Sequence, residues 1–123
     1  MKIILSSAAF SAMLAVVLGA FAAHGLKSKL SETLLNTFQT AVQYQMYHSL
    51  ALILVVILYR QMPQPLLVYS AGFMLSGIVL FSGSLYLLAL TQLKWFGPVT
   101  PLGGLCFIVG WALLIVAALK GAN

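Results

Sequence analysis

Four long stretches of this chain carry no charge, and the few charged residues fall at the ends of those stretches. Of the 123 residues only Glu32 is acidic, and the six basic ones are Lys2, Lys27, Lys29, Arg60, Lys94 and Lys120. A soluble fold needs charged side chains over its wet surface, whereas hydrocarbon penalises them, so this is the pattern of an integral membrane protein. With 63% hydrophobic and 6% charged residues, no stretch remains for a soluble domain, and the length suits one compact unit. The net charge of +5 does not imply nucleic acid as a partner. The cations are dispersed as anchors at the membrane surface and form no patch that tracks phosphates. Cys106 is the one cysteine, which excludes a disulfide framework or a thiolate metal cluster within one chain and leaves it a small buried hydrophobe.

About 20 apolar residues span the hydrocarbon as a helix. Four segments qualify, roughly 3–24, 41–60, 66–90 and 101–119, so the expected fold is all-α, an integral membrane bundle of four transmembrane helices in a single domain. Lys2, an apolar run and Ala20-Phe21-Ala22 imitate a secretory signal, but the run is longer than a signal's apolar region and reads as an uncleaved first span. Gly25 is placed to end that span in the left-handed conformation. Ser31 is the expected N-cap of the second helix, with Glu32 in its first turn and an amphipathic turn or two on the bilayer surface before the span proper. Met62-Pro63-Gln64-Pro65 ends that helix and starts the third; Thr100 and Pro101 are the expected cap and first residue of the fourth. Tyr86, Trp95 and Trp111 read as interfacial anchors or packing residues. Four spans put both termini on one side. Lys2, Arg60 and Lys120 lie on that side and Lys27, Lys29 and Lys94 on the other, a tie that leaves orientation open.

Helices in lipid associate by close packing, so small residues mark their contact faces. The first span carries Ala8, Ala12, Ala15, Gly19 and Ala22 on one stripe; the third carries Gly72, Ser76 and Gly83; the fourth carries Gly103, Cys106, Gly110 and Ala117. The second helix differs, because Thr37, Ala41, Tyr44, His48 and Ala51 share a stripe that holds its most polar side chains. A histidine inside a span is costly and faces protein or a water-filled cavity. His48 is therefore expected to point inward, where it meets His24 and, with Tyr44 and Ser82, forms the most polar internal cluster.

Gly19-Ala20-Phe21-Ala22-Ala23-His24-Gly25-Leu26, Tyr44-Gln45-Met46-Tyr47-His48-Ser49-Leu50, Leu80-Phe81-Ser82-Gly83-Ser84-Leu85-Tyr86 and Thr100-Pro101-Leu102-Gly103-Gly104 resemble, in this order and spacing, the small bacterial inner-membrane proteins of YgdD/YwdK type. The resemblance covers essentially the whole chain. It implies four spans in the bacterial inner (plasma) membrane and brings no catalytic residues to carry over.

Three function classes follow. A structural or accessory membrane component, self-associating as a homo-oligomer through its small-residue stripes, needs no chemistry and ranks first. A small-molecule or lipid carrier would use a pocket of His24, Tyr44, His48 and Ser82. A bis-histidine haem or metal protein ranks last, because two histidines without nearby acids make a sparse ligand set. The plain expectation for His48 is a neutral ring hydrogen-bonded to Tyr44, Gln45 or a backbone carbonyl. Ser82-Gly83-Ser84 resembles no nucleophile elbow and lacks a neighbouring base, so serines there should bond across helices. No catalytic residue, cofactor or enzymatic activity is expected; the expected partners are the lipid bilayer and further copies of the chain.

Overall fold

The computed structural model describes residues 1–121 and consists of four long helices joined by short connections. We label them α1 (Lys2–His24), α2 (Glu32–Gln61), α3 (Pro65–Thr91) and α4 (Val99–Gly121). All four are long and apolar enough to cross a membrane. The expected boundaries lie within a few residues of these. α2 begins early, as expected, and runs unbroken from Glu32 for 30 residues, about 45 Å at the helical rise. Its first turn is capped as the sequence suggested: the Ser31 hydroxyl accepts from the Leu34 amide at 3.2 Å.

Two terminal features differ from expectation. Gly25 has φ −75° and ψ −37°, a right-handed conformation, because the amides of Gly25 and Leu26 both bond back to the Phe21 carbonyl. Glycine is needed there for space, since a Cβ would meet the Phe21 ring at 2.6 Å. The left-handed cap is at Gln92, φ 62°, at the end of α3. Thr100 does not cap α4, which begins at Val99 after a short 3-10 turn over Lys94–Phe96. Its hydroxyl bonds instead to that of Ser84 at 2.6 Å.

α1 packs against α2, α4 packs against α3, and α2 touches α3 along both of its halves. Two apolar clusters hold this arrangement. One gathers Ala8, Ala51, Leu52, Val55, Leu67, Ala71, Met74 and Ala117 near the terminal end. The other gathers Ala22, Leu26, Phe38 and Ala89 near the opposite end. Small residues let the backbones approach. Gly19 lies against Val42, where a Cβ would stand 3.3 Å from Cγ1, and Gly110 lies against Met74. Ala12 is half-buried, between the fully buried Ala8 and Ala15.

The middle of α3 departs from α-helical geometry. Ile78–Ser82 forms one π-helical segment, closed by the Gly83 amide bonding to the Ile78 carbonyl. The widened turn presses the Phe81 backbone against Gly103 of α4, where any Cβ would overlap the Phe81 nitrogen and Cα. Beyond it, Ser82 donates to the Ala41 carbonyl of α2 at 2.7 Å, while Ser84 meets Thr100 of α4. Residues two apart in a helix point about 200° apart, so this pair stitches α3 to neighbours on opposite sides.

Candidate functional site

Polar side chains cluster where α1, α2, α3 and α4 come level near the middle of the bundle. Ser11, close to the midpoint of α1, bonds to two residues of α2. Its carbonyl accepts from Gln45 Nε2 at 2.9 Å and its hydroxyl lies 2.7 Å from that of Ser49. Ser49 also reaches the Gln45 carbonyl, and Tyr86 of α3 donates its phenol to Gln45 Oε1 at 2.6 Å. Gln45 thus joins three helices with both ends of its amide. Tyr86 is half-buried against the Phe38 ring, so it is a packing residue and not an interfacial anchor.

His48, one turn along from Tyr44, occupies the adjoining face of α2. Its Nδ1 lies 2.8 Å from the Tyr44 carbonyl, and the Trp111 indole nitrogen lies 3.0 Å from its Nε2. A carbonyl only accepts and an indole N–H only donates, so both contacts are satisfied by one form of the ring, the neutral tautomer protonated at Nδ1. The ring is stacked on Phe107 with centroids 3.5 Å apart and planes 10° from parallel. Gly77 makes this possible, because a Cβ there would collide with the Phe107 ring. Tyr44 turns outward from the same turn and packs on Phe81, with centroids 4.6 Å apart.

The structure thus separates the four residues expected to cluster. His48 is buried and Tyr44 is beside it, but Ser82 spends its hydroxyl on the Ala41 backbone. His24 is exposed at the end of α1. It does not meet His48, because antiparallel packing sets the end of α1 beside the start of α2, where Ala22 and Leu26 share a cluster with Phe38. Ser11 is level with Gln45 and Ser49, so the helical rise puts His24 about 20 Å further along the bundle axis. The bis-histidine arrangement is not formed. Among the described residues no three His, Cys, Asp or Glu side chains come together as metal ligands, and the one free ring nitrogen of a neutral His48 is occupied by Trp111.

Trp111, Phe107 and Ser11 join this site through the fold, beyond the residues expected from the sequence. Trp111 sits near the middle of α4, away from either membrane surface, and a tryptophan there has to find a partner for its N–H. A tryptophan so far from both span ends is the signal in the sequence that could reveal an internal acceptor.

Gly72, Ser76 and Gly83, expected to pack within the bundle, do not. A Cβ at Gly72 or Gly83 would have nothing within 4 Å, and Ser76 is exposed with its hydroxyl turned back to the Gly72 carbonyl. The inward face of α3 is built instead from Leu67, Ser70, Ala71, Met74 and Gly77. The outward row borders a groove of about 250 Å³ lined by Val68, Tyr69, Gly72, Phe73 and Ser76.

Residues 18–104 match the family model described as protein of unknown function (DUF423). The chain is 48% identical over 121 residues to the UPF0382 membrane protein YwdK of Bacillus subtilis, covering 98% of each. It is 46% identical over 124 residues to a UPF0382 membrane protein of Staphylococcus epidermidis, covering 100% of each. No solved structure matches it. Sequence relatives along the whole length and four spanning helices agree: the chain belongs to the DUF423 family and is a multi-pass membrane protein.

Proposed function

We propose that the protein is a structural or accessory component of the bacterial inner (plasma) membrane, working by assembly with further copies of itself and not by catalysis. The observation that carries this reading is how the internal polar groups are used. Ser11, Gln45, Ser49 and Tyr86 bond to one another; Ser70, Ser82 and Gln64 bond to backbone carbonyls of neighbouring helices; His48 is held between Tyr44 and Trp111. Among the described residues no buried side-chain nitrogen or oxygen lacks a partner. Side chains that work on a substrate keep a donor, acceptor or lone pair available for it; here they serve as glue between helices. An inner-membrane location is supported by bacterial relatives that are membrane proteins and by spans that are helical.

The self-association rests on Gly72 and Ser76, which have the small-residue spacing of a helix contact and face outward. Native mass spectrometry from mild detergent tests the reading. The wild type should appear as a defined oligomer without added mass, and Gly72→Leu with Ser76→Leu should reduce it to a folded monomer. A wild-type monomer, or a stoichiometric retained small molecule, would count against it.

A further inference from the structure

The two ends of the bundle carry the same number of basic residues. Orientation follows the excess of Lys and Arg in the short segments flanking the spans, with acidic residues contributing little. At the terminal end lie Lys2, near the start of α1, Arg60 in the last turn of α2, and Lys120 in the last turn of α4. At the other end lie Lys27 and Lys29 in the connection after α1, and Lys94 in the 3-10 turn after α3. All six are exposed, so none is withdrawn from the comparison by burial. The tie of three against three stands once the helix ends are located.

The connections over 25–31, 62–64 and 92–98 are all short, so none of the three holds a domain that resists or forces translocation. Interfacial aromatic residues flank both ends, Tyr59 and Tyr69 at one and Trp95 and Phe96 at the other, as belts do at either surface.

We propose that this chain inserts in both orientations, so that a population of identical copies has its termini on both sides of one membrane. The total basic charge of three against three favours neither direction of entry, and both products bury the same apolar helices. This inference concerns each chain as it inserts and stands whether or not copies assemble. It also names the partner that an assembly would meet, a second copy of the chain of which about half are inverted.

The test uses single cysteines in full-length protein with Cys106→Ala, labelled in intact cells by a membrane-impermeant maleimide and again after permeabilisation. Ser28→Cys reports the end that holds Lys27 and Lys29, and Gln61→Cys reports the end that holds Arg60. Each should label to about half in intact cells and fully after permeabilisation, the even split that a charge tie predicts. Adding Ser28→Lys to the Gln61 reporter should raise its labelling in intact cells about twofold, and adding Gln61→Lys to the Ser28 reporter should do the same, because the added cation holds its own end inside. One reporter labelled above about nine-tenths and the other below about one-tenth would overturn the proposal, as would a split that the added lysines leave unchanged.

Discussion

The Trp111 indole donates to Nε2 of His48 across 3.0 Å, joining the middle of α4 to the middle of α2. This bond and the Nδ1 contact to the Tyr44 carbonyl hold the imidazole neutral and in one tautomer, with its face on Phe107. The histidine is a bridge between helices, and its loss should be felt as instability.

Replacing Trp111 with phenylalanine keeps an aromatic ring but removes the donor, and Nε2 is left in an apolar setting without a partner. We expect a loss of about 0.5–2 kcal/mol, the range for hydrogen bonds between membrane helices. Thermal unfolding in detergent measures it. The double variant with His48→Phe should lose less than the two single losses combined, because the bond is shared.

Gly103 and Gly83 should respond in opposite ways to the same methyl group. Alanine at 103 forces a Cβ into the Phe81 backbone, and backbone cannot swing aside as a side chain can; a loss of about 1–3 kcal/mol or more is expected. Alanine at 83 meets nothing within 4 Å and should be neutral or stabilising by up to about 1 kcal/mol through the helical preference of alanine. Equal effects at the two sites would contradict the packing described here.

Gln45→Leu removes the acceptor of the Tyr86 phenol and the donor to the Ser11 carbonyl. An orphaned polar group away from water costs about 1–3 kcal/mol. Adding Tyr86→Phe should recover part of that loss, since it removes the orphan; a further fall would show that Tyr86 has another partner.

The two histidines should separate cleanly. His24→Ala, at an exposed helix end, is expected to shift stability within about 0.5 kcal/mol, whereas His48→Ala breaks two hydrogen bonds and a ring stack. A chelator should leave the melting temperature of the wild type unchanged, because the described residues bring no ligand set together. A metal-dependent melting temperature would reopen the bis-histidine arrangement.

Much of the architecture is legible in the chain because its causes are local. Insertion energy sums over about 20 consecutive residues, so the spans can be read to within a few residues, and Ser31 and Pro65 mark helix starts by the groups beside them. The π-helical turn at Ile78–Ser82 has no such mark. Its warrant is the fit of Phe81 against Gly103, more than 20 positions away. Gly72 and Gly103 look alike in sequence, yet one faces out of the bundle and the other is covered by backbone.

Residue type and order suffice to establish a membrane protein with four spans and equal basic charge at both ends. Which small residues pack, the pairing of His48 with Trp111 and the distance of His24 from it are set by the fold. Those outcomes depend on the rotation of each helix about its axis and the register of antiparallel neighbours. Contacts between distant segments set both.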